Sequence, residues 1–277
     1  MNLLPLSSFL QGLVQSVLIV SMLAPLSVFA SSKPESAHLI FEATYKAKIS
    51  GFGAELVRSL EQMPDGDYRL HSRASNFFAY IDETSQFLIE DGKVKPQSYY
   101  YERSIAGKKS QESLEFNWQT MSGLYIKDNH QEPDATHTLE TNILDPATYQ
   151  LFLQADVSSE IAPLEYTFIK RKRVETYIFE QRPDETLEIA GKEYASKVFE
   201  RKDDHEVKQT KVWIVPELDY QIGKIEHTSK KGSTYGMDLQ SYKADKESLK
   251  VFYQKARASL KTSQTKPLEK ANPTEND

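Results

Sequence analysis

Apolar and polar residues alternate with a period of two through most of the chain. The stretch "FEATYKAKI" (41–49) places Phe41, Ala43, Tyr45, Ala47 and Ile49 on one face and Glu42, Thr44, Lys46 and Lys48 on the other, which predicts a half-buried strand. Turn signals then punctuate similar runs. "PDGD" (64–67) precedes the strand-like "YRLHSRAS", and Asp91-Gly92 separates "SQFLIE" from "KVKPQSYYYERS", a short hairpin signal. "KSQESLEFNW" and "MSGLYIKD" continue the meander up to a polar loop, "NHQEPDAT" (129–136). The run "LEYTFIKRKRVETYIFE" reads as one long exposed strand, bulged at its charged middle. "TLEIAGKEYASKVFERK" turns at Ala190-Gly191. In "KVWIVPELDYQIGKIEH" (211–227) Pro216 closes a strand where no ladder N–H is needed, and the chain turns and returns. "STYGMDLQSYK" is the last strand, with Tyr235, Met237 and Leu239 on one face.

The period changes twice. "LDPATYQLFLQADV" (144–157) has Asp145 at an N-cap and Pro146 at the first helical position. Tyr149, Phe152 and Leu153 follow at a spacing that turns them toward the sheet. After Lys243, the residues Leu249, Phe252, Tyr253 and Ala256 recur at helical spacing, and 261–277 is polar, charged and Pro-containing, the composition of a disordered tail. The expected fold is therefore mainly β. It is a large curved antiparallel sheet, a meander, half-barrel or open barrel, with one short mid-chain helix and a C-terminal helix and tail.

The N-terminus adds a compartment. Residues 1–30 contain no Lys, Arg, Asp or Glu, and "LVQSVLIVSMLAPL" (13–26) has the length of a signal-peptide core. Val28 and Ala30 supply the small residues before a cut after Ala30. Removing residues 1–30 leaves 247 of the 277 residues, divided into a single β-rich domain (31–243) and a C-terminal helix and tail (244–277). The absence of cysteine excludes a disulfide scaffold, a thiolate metal site and a Cys nucleophile. An exported, cysteine-free chain of this kind is expected in the periplasm of a Gram-negative bacterium, without a membrane span after cleavage. The net charge of −6, mixed in sign, gives no basic stripe for nucleic acid.

The order of landmarks resembles the domain-of-unknown-function family 3108 (DUF3108), a group of exported bacterial envelope proteins. The resemblance is carried by "FEATYKAKISGFGA", "DGDYRLHSRA", "DGKVKPQSYYYERS", "LEFNW", "ILDPATYQLFLQ" and the Trp-led "KVWIVPELDYQIGKIEH", over about residues 39–243. It implies a curved antiparallel sheet in the periplasm and carries over no activity, cofactor or catalytic residue.

A search for chemistry finds no Gly-x-Ser-x-Gly elbow, P-loop or His-Glu-x-x-His. His130 and His137 flank a loop with Glu132 and Asp134, residues that solvated loops also collect. The pairs Asp82-Glu83, Asp203-Asp204 and Glu217/Asp219 fall at or near turns, where acids are ordinary. No catalytic residue, metal ligand or cofactor is expected. The basic run "KRKR" (170–173) is read as protection of an exposed strand, with lipopolysaccharide phosphates or anionic headgroups as its functional alternative. The abundant aromatics, 15 Tyr and 13 Phe, either fill a core or line a concave apolar face left open by one helix. On the second reading Tyr99, Tyr101, Phe116, Trp118 and Trp213 are the candidate ligand-binding residues. The function expected is a non-enzymatic binding module for an apolar or amphipathic envelope ligand, a lipid or a lipidated protein. The alternative is a structural envelope protein that joins a partner through strand edges or the C-terminal helix. The sequence does not fix an oligomeric state.

Overall fold

The computed structural model of the protein describes residues 36–49, 51–90, 93–202, 209–229 and 234–264, with side chains as far as Ala256. The expected signal segment, the Asp91-Gly92 turn, Asp203-Asp204 and the tail beyond Gln264 lie outside the described residues. The strands in chain order are β1 His38–Ile49, β2 Phe52–Gln62, β3 Tyr68–Ser75, β4 Ala79–Glu90, β5 Lys93–Ile105, β6 Lys108–Asn117, β7 Ser122–Lys127, β8 Ala135–Thr138, β9 Leu164–Lys170, β10 Arg173–Ile189, β11 Lys192–Lys202, β12 Gln209–Val215, β13 Gln221–Thr228 and β14 Thr234–Ala244. Two helices accompany them, α1 Thr148–Val157 and α2 Lys246–Gln264.

All fourteen strands form one sheet in the order β8-β7-β6-β5-β4-β3-β2-β1-β14-β13-β12-β11-β10-β9, with every pairing antiparallel. The sheet curls until its two ends, β8 and β9, face each other, giving a barrel that is nearly closed. Curling removes most of the exposed edge that an open sheet of this width would present. Because neighbours are antiparallel, the turns β1–β2, β3–β4, β5–β6, β7–β8 and β9–β10 all lie at one end of the barrel.

The alternation that predicts β1 is borne out: Phe41, Ala43, Tyr45, Ala47 and Ile49 are buried, while Lys46 and Lys48 are exposed. Apolar residues point inward and charges outward, the reverse of a barrel whose wall sits in lipid. Tyr235, expected inward with Met237 and Leu239, is instead exposed, because it stands at the open end of β14.

The interior is not an open concave face. It holds α1, which is buried on nearly all sides, from Thr148 and Leu151 through Val157. It also holds the apolar stripe of α2, Leu249, Phe252, Tyr253 and Ala256. Phe152 of α1 meets Phe87 and Phe252 with ring centroids 6.2 and 6.5 Å apart, and Phe252 meets Tyr68 at 5.0 Å. The open-face reading covers the sheet with one helix and a flexible C-terminal segment. It underestimated cover because α2 is part of the core and runs to Gln264, into the stretch read as tail.

Polar contacts fix α1 inside the barrel. Asp145 is fully buried; its carboxylate accepts from the N–H groups of Ala147 (2.8 Å) and Thr148 (3.0 Å), the bonding pattern of an N-cap. The helix itself starts at Thr148, two residues after Pro146. Ser85 of β4 donates to the other Asp145 oxygen at 2.5 Å. The buried Arg58 of β2 donates to Gln150 and to the Ala147 carbonyl. At the far end of the helix, Tyr166 donates to Asp156 and Gln154 donates to Gln221, which in turn donates to Tyr45. These bonds replace water partners lost on burial.

Candidate ligand cleft at the barrel seam

The sequence "FIKRKRVE" does not form one bulged strand. Lys170 ends β9, Arg173 starts β10, and Arg171 and Lys172 make the tight turn between them, with Arg171 at a φ of 58°. Ile169 and Val174, five positions apart, pair across the turn and share a face, so the alternation shifts phase there; the shift falls within the four charged residues 170–173, which have no apolar position to mark it.

This turn closes the seam between the two edges of the sheet. Arg171 Nε donates to Glu112 of β6 at 2.8 Å, the Arg171 carbonyl lies 2.9 Å from His137 Nε2 of β8, and Lys172 Nζ is 3.6 Å from Asp134. Below it, Leu144 bridges β9 as a short parallel partner, with N–H···O bonds to and from Thr167 and Ile169 of 3.0 and 3.1 Å. The edges approach so closely that a Cβ on Gly123 of β7 would stand 3.0 Å from both Ile169 and Leu139.

A cleft of about 580 Å³ opens along the seam. Six cations line it, Arg103, Lys127 and the whole of 170–173, against two carboxylates, Glu112 and Glu175. Four of the cations have acidic partners: Lys170 with Glu175, Arg171 with Glu112, Lys172 with Asp134 and Lys127 with Asp128. Arg103 and Arg173 are exposed, and among the described residues neither has a carboxylate within ion-pair distance. At Glu112, Tyr125, Lys170 and Arg171 the cleft meets a smaller pit of about 220 Å³, lined further by Tyr99, Tyr101 and Glu83 and walled by Leu114 and Pro146.

Burial pushes all three phenols of the pit up, Tyr125 to about 12 and Tyr99 well above its ordinary value, with Glu83 adding to the rise of Tyr99. They are thus uncharged hydroxyl groups at neutral pH. Tyr99 donates to Glu83 at 2.8 Å. Burial also raises the Glu83 carboxyl, an effect opposed by that hydrogen bond and by Arg58. The pit therefore offers ring faces and phenol hydroxyls beneath a cationic mouth, an arrangement suited to a negatively charged head with a small apolar or hydroxylated group behind it.

Of the five residues singled out in the sequence, the structure brings only Tyr99 and Tyr101 to this site. Phe116 is buried in the main core opposite Gly123. Trp118 is half-buried beyond the end of β6 and donates to the Pro96 carbonyl at 2.7 Å. Trp213 packs away from the interior, since its neighbours Val212 and Ile214 take the inward positions. Lys224 lies over its ring at 4.9 Å, and its indole N–H donates to Glu185 at 2.9 Å. Sequence reasoning missed Tyr125, Glu112 and the closing role of Arg171, and it read Asp82-Glu83 as a turn, whereas both residues stand within β4. The one available signal was the density of charge in "KRKR".

The family model of a protein of unknown function, DUF3108, matches residues 67–240, and the chain belongs to that family. The match includes β3 to β13, α1 and both walls of the seam. No curated protein matches the sequence.

Proposed function

We propose that this DUF3108 protein is a non-enzymatic binding module of the bacterial periplasm that holds an anionic amphiphile, a lipid or the lipid of a lipidated protein, in the seam cleft. The observation that carries the reading is the six-to-two excess of cations at the mouth of a tyrosine-lined pit. The interior supports no second, purely apolar site, since α1 and α2 occupy it. A charge-free, apolar N-terminal segment supports export. The strand-edge alternative has less behind it: β8 is four residues long and Leu144 already bonds to β9. On α2 the aromatic residues Phe252 and Tyr253 are already buried in the core, which leaves a partner only the helix's other face.

Dodecyl phosphate, titrated by calorimetry below its micellar concentration, is a direct probe. Replacing both Arg103 and Arg173 by Ala should weaken binding by about tenfold or more, as expected for two charge-assisted contacts. It should also flatten the dependence on salt, while dodecyl maltoside binds far less well than the phosphate. Equal affinity for the two head groups, or an unchanged double variant, contradicts the proposal.

A further inference from the structure

The turns at the seam end of the barrel carry a second feature. Phe52, at the start of β2, and Phe77 and Phe78, in the β3–β4 turn, form a cluster of edge-to-face rings with centroids 4.8 to 6.2 Å apart. Phe52 is 54% and Phe77 88% exposed. Single exposed apolar residues are common, but a contiguous aromatic group at loop tips is not, since tips favour Gly, Asn, Asp and Ser. Of the eight large hydrophobic side chains exposed among the described residues, Phe52, Phe77, Val174 and Tyr235 all stand at this end.

The rings have a firm base. Phe78 packs on a small core of its own, Ile49, Ala54, Ala74 and Ala79, separate from the main one. The Asn76 side chain accepts from the N–H groups of Phe78 and Ala79, and the Phe78 carbonyl accepts from Ala106 of the β5–β6 turn at 3.0 Å. The three turn segments read "KISGFGA" (48–54), "SNFFA" (75–79) and "IAGKK" (105–109): three Phe, three Lys and no carboxylate. Lys48 and Lys108 are exposed, and among the described residues neither has an acidic partner. Arg73 and Lys109 stand one step back, over the Tyr80 ring and paired with Asp82 and Glu102.

We infer that the side of this end formed by the β1–β2, β3–β4 and β5–β6 turns docks on an anionic lipid bilayer, with Phe52 and Phe77 entering the interface and Lys48 and Lys108 meeting the head groups. Exposed aromatics give area to bury at the acyl boundary, and lysines beside them add attraction to anionic head groups. A protein groove would take the same rings but gives no reason for two lysines without acidic partners among the described residues, Lys48 and Lys108, beside them. The inference stands on residues outside the seam cleft and does not depend on what the cleft holds.

The test uses the processed protein purified from a bacterial periplasm and vesicles of phosphatidylglycerol and phosphatidylethanolamine, compared with phosphatidylcholine alone. The protein should sediment with the anionic vesicles and be released by salt. The double variant Phe52→Ser/Phe77→Ser should bind them about tenfold or more weakly and melt as the parent does, since neither ring is buried. In Phe77→Trp, brominated acyl chains should quench the added fluorescence, read against the parent with Trp118 and Trp213. Failure of the parent to bind, equal binding by the double variant, or absence of quenching overturns the inference. So does a Phe77 photo-crosslink to a protein instead of lipid. Dodecyl phosphate binding should be unaffected in the double variant, which separates this result from the cleft proposal.

Discussion

Phe152 offers the sharpest check that the barrel is filled. It lies on α1, is fully buried, and its ring meets Phe87 of β4 and Phe252 of α2. Phe152→Ala removes the ring and leaves a void between three elements that cannot all close on it. Such truncations cost about 3–5 kcal/mol, the lost transfer energy plus the cavity. Set against a total stability of about 5–15 kcal/mol, that is a large fraction. For a domain of this size each kcal/mol moves the midpoint about 2–4 °C, so the melting temperature should fall by about 6–20 °C. Urea unfolding at constant m-value measures the difference directly. Phe77→Ala is the internal control, because the same residue type at 88% exposure should change stability by less than about 0.5 kcal/mol. A Phe152→Ala cost below about 1 kcal/mol, or equal effects at the two sites, would refute a helix-filled interior.

Further outcomes follow from individual contacts. Asp145→Ala strands the Ala147 and Thr148 N–H groups and the Ser85 hydroxyl in the interior, and should destabilise by about 2–4 kcal/mol in the same urea assay. Gly123→Ala pushes a methyl group against Ile169 and Leu139 across the seam and should cost about 1–3 kcal/mol, measured by thermal melting. Hydrogen bonds from Tyr80, Gln111 and Tyr100 lower the Glu102 carboxyl to about 2. The stability this supplies is fully present above the ordinary value of 4.5 and is lost as pH falls through about 2, so the gap between the parent and Glu102→Gln should narrow across that range in acid denaturation.

How much of this was legible beforehand depends on range. Strand alternation is local, so β1 and the antiparallel plan could be read from residues such as Phe41 to Ile49. The hairpin around Pro216 also appears as a reversal, with a short 3-10 turn at Pro216–Leu218 and positive φ at Asp219 and Tyr220. Closure of the barrel was not legible, because it depends on Arg171 meeting Glu112, 59 positions away, and on Gly123 admitting Ile169. The same holds for the pit: Tyr99 and Tyr101 were found from aromatic density, whereas Tyr125 and Glu83 join them only once β4, β5 and β7 curve round the seam. Trp213 misled for a simple reason. A large aromatic on a barrel strand is expected inward, yet a cation over the ring and a carboxylate on the indole N–H bury it on the outer face.

The central claim is that an anionic amphiphile seats in the seam. A dodecyl phosphate analogue bearing a diazirine at its chain end, photolysed with the protein below the micellar concentration and mapped by peptide mass spectrometry, tests it most directly. The account predicts adducts concentrated on Tyr101, Tyr125 and the 170–173 turn, suppressed by excess dodecyl phosphate. Adducts spread over the outer wall, or gathered on α2 with the seam unlabelled, would contradict it.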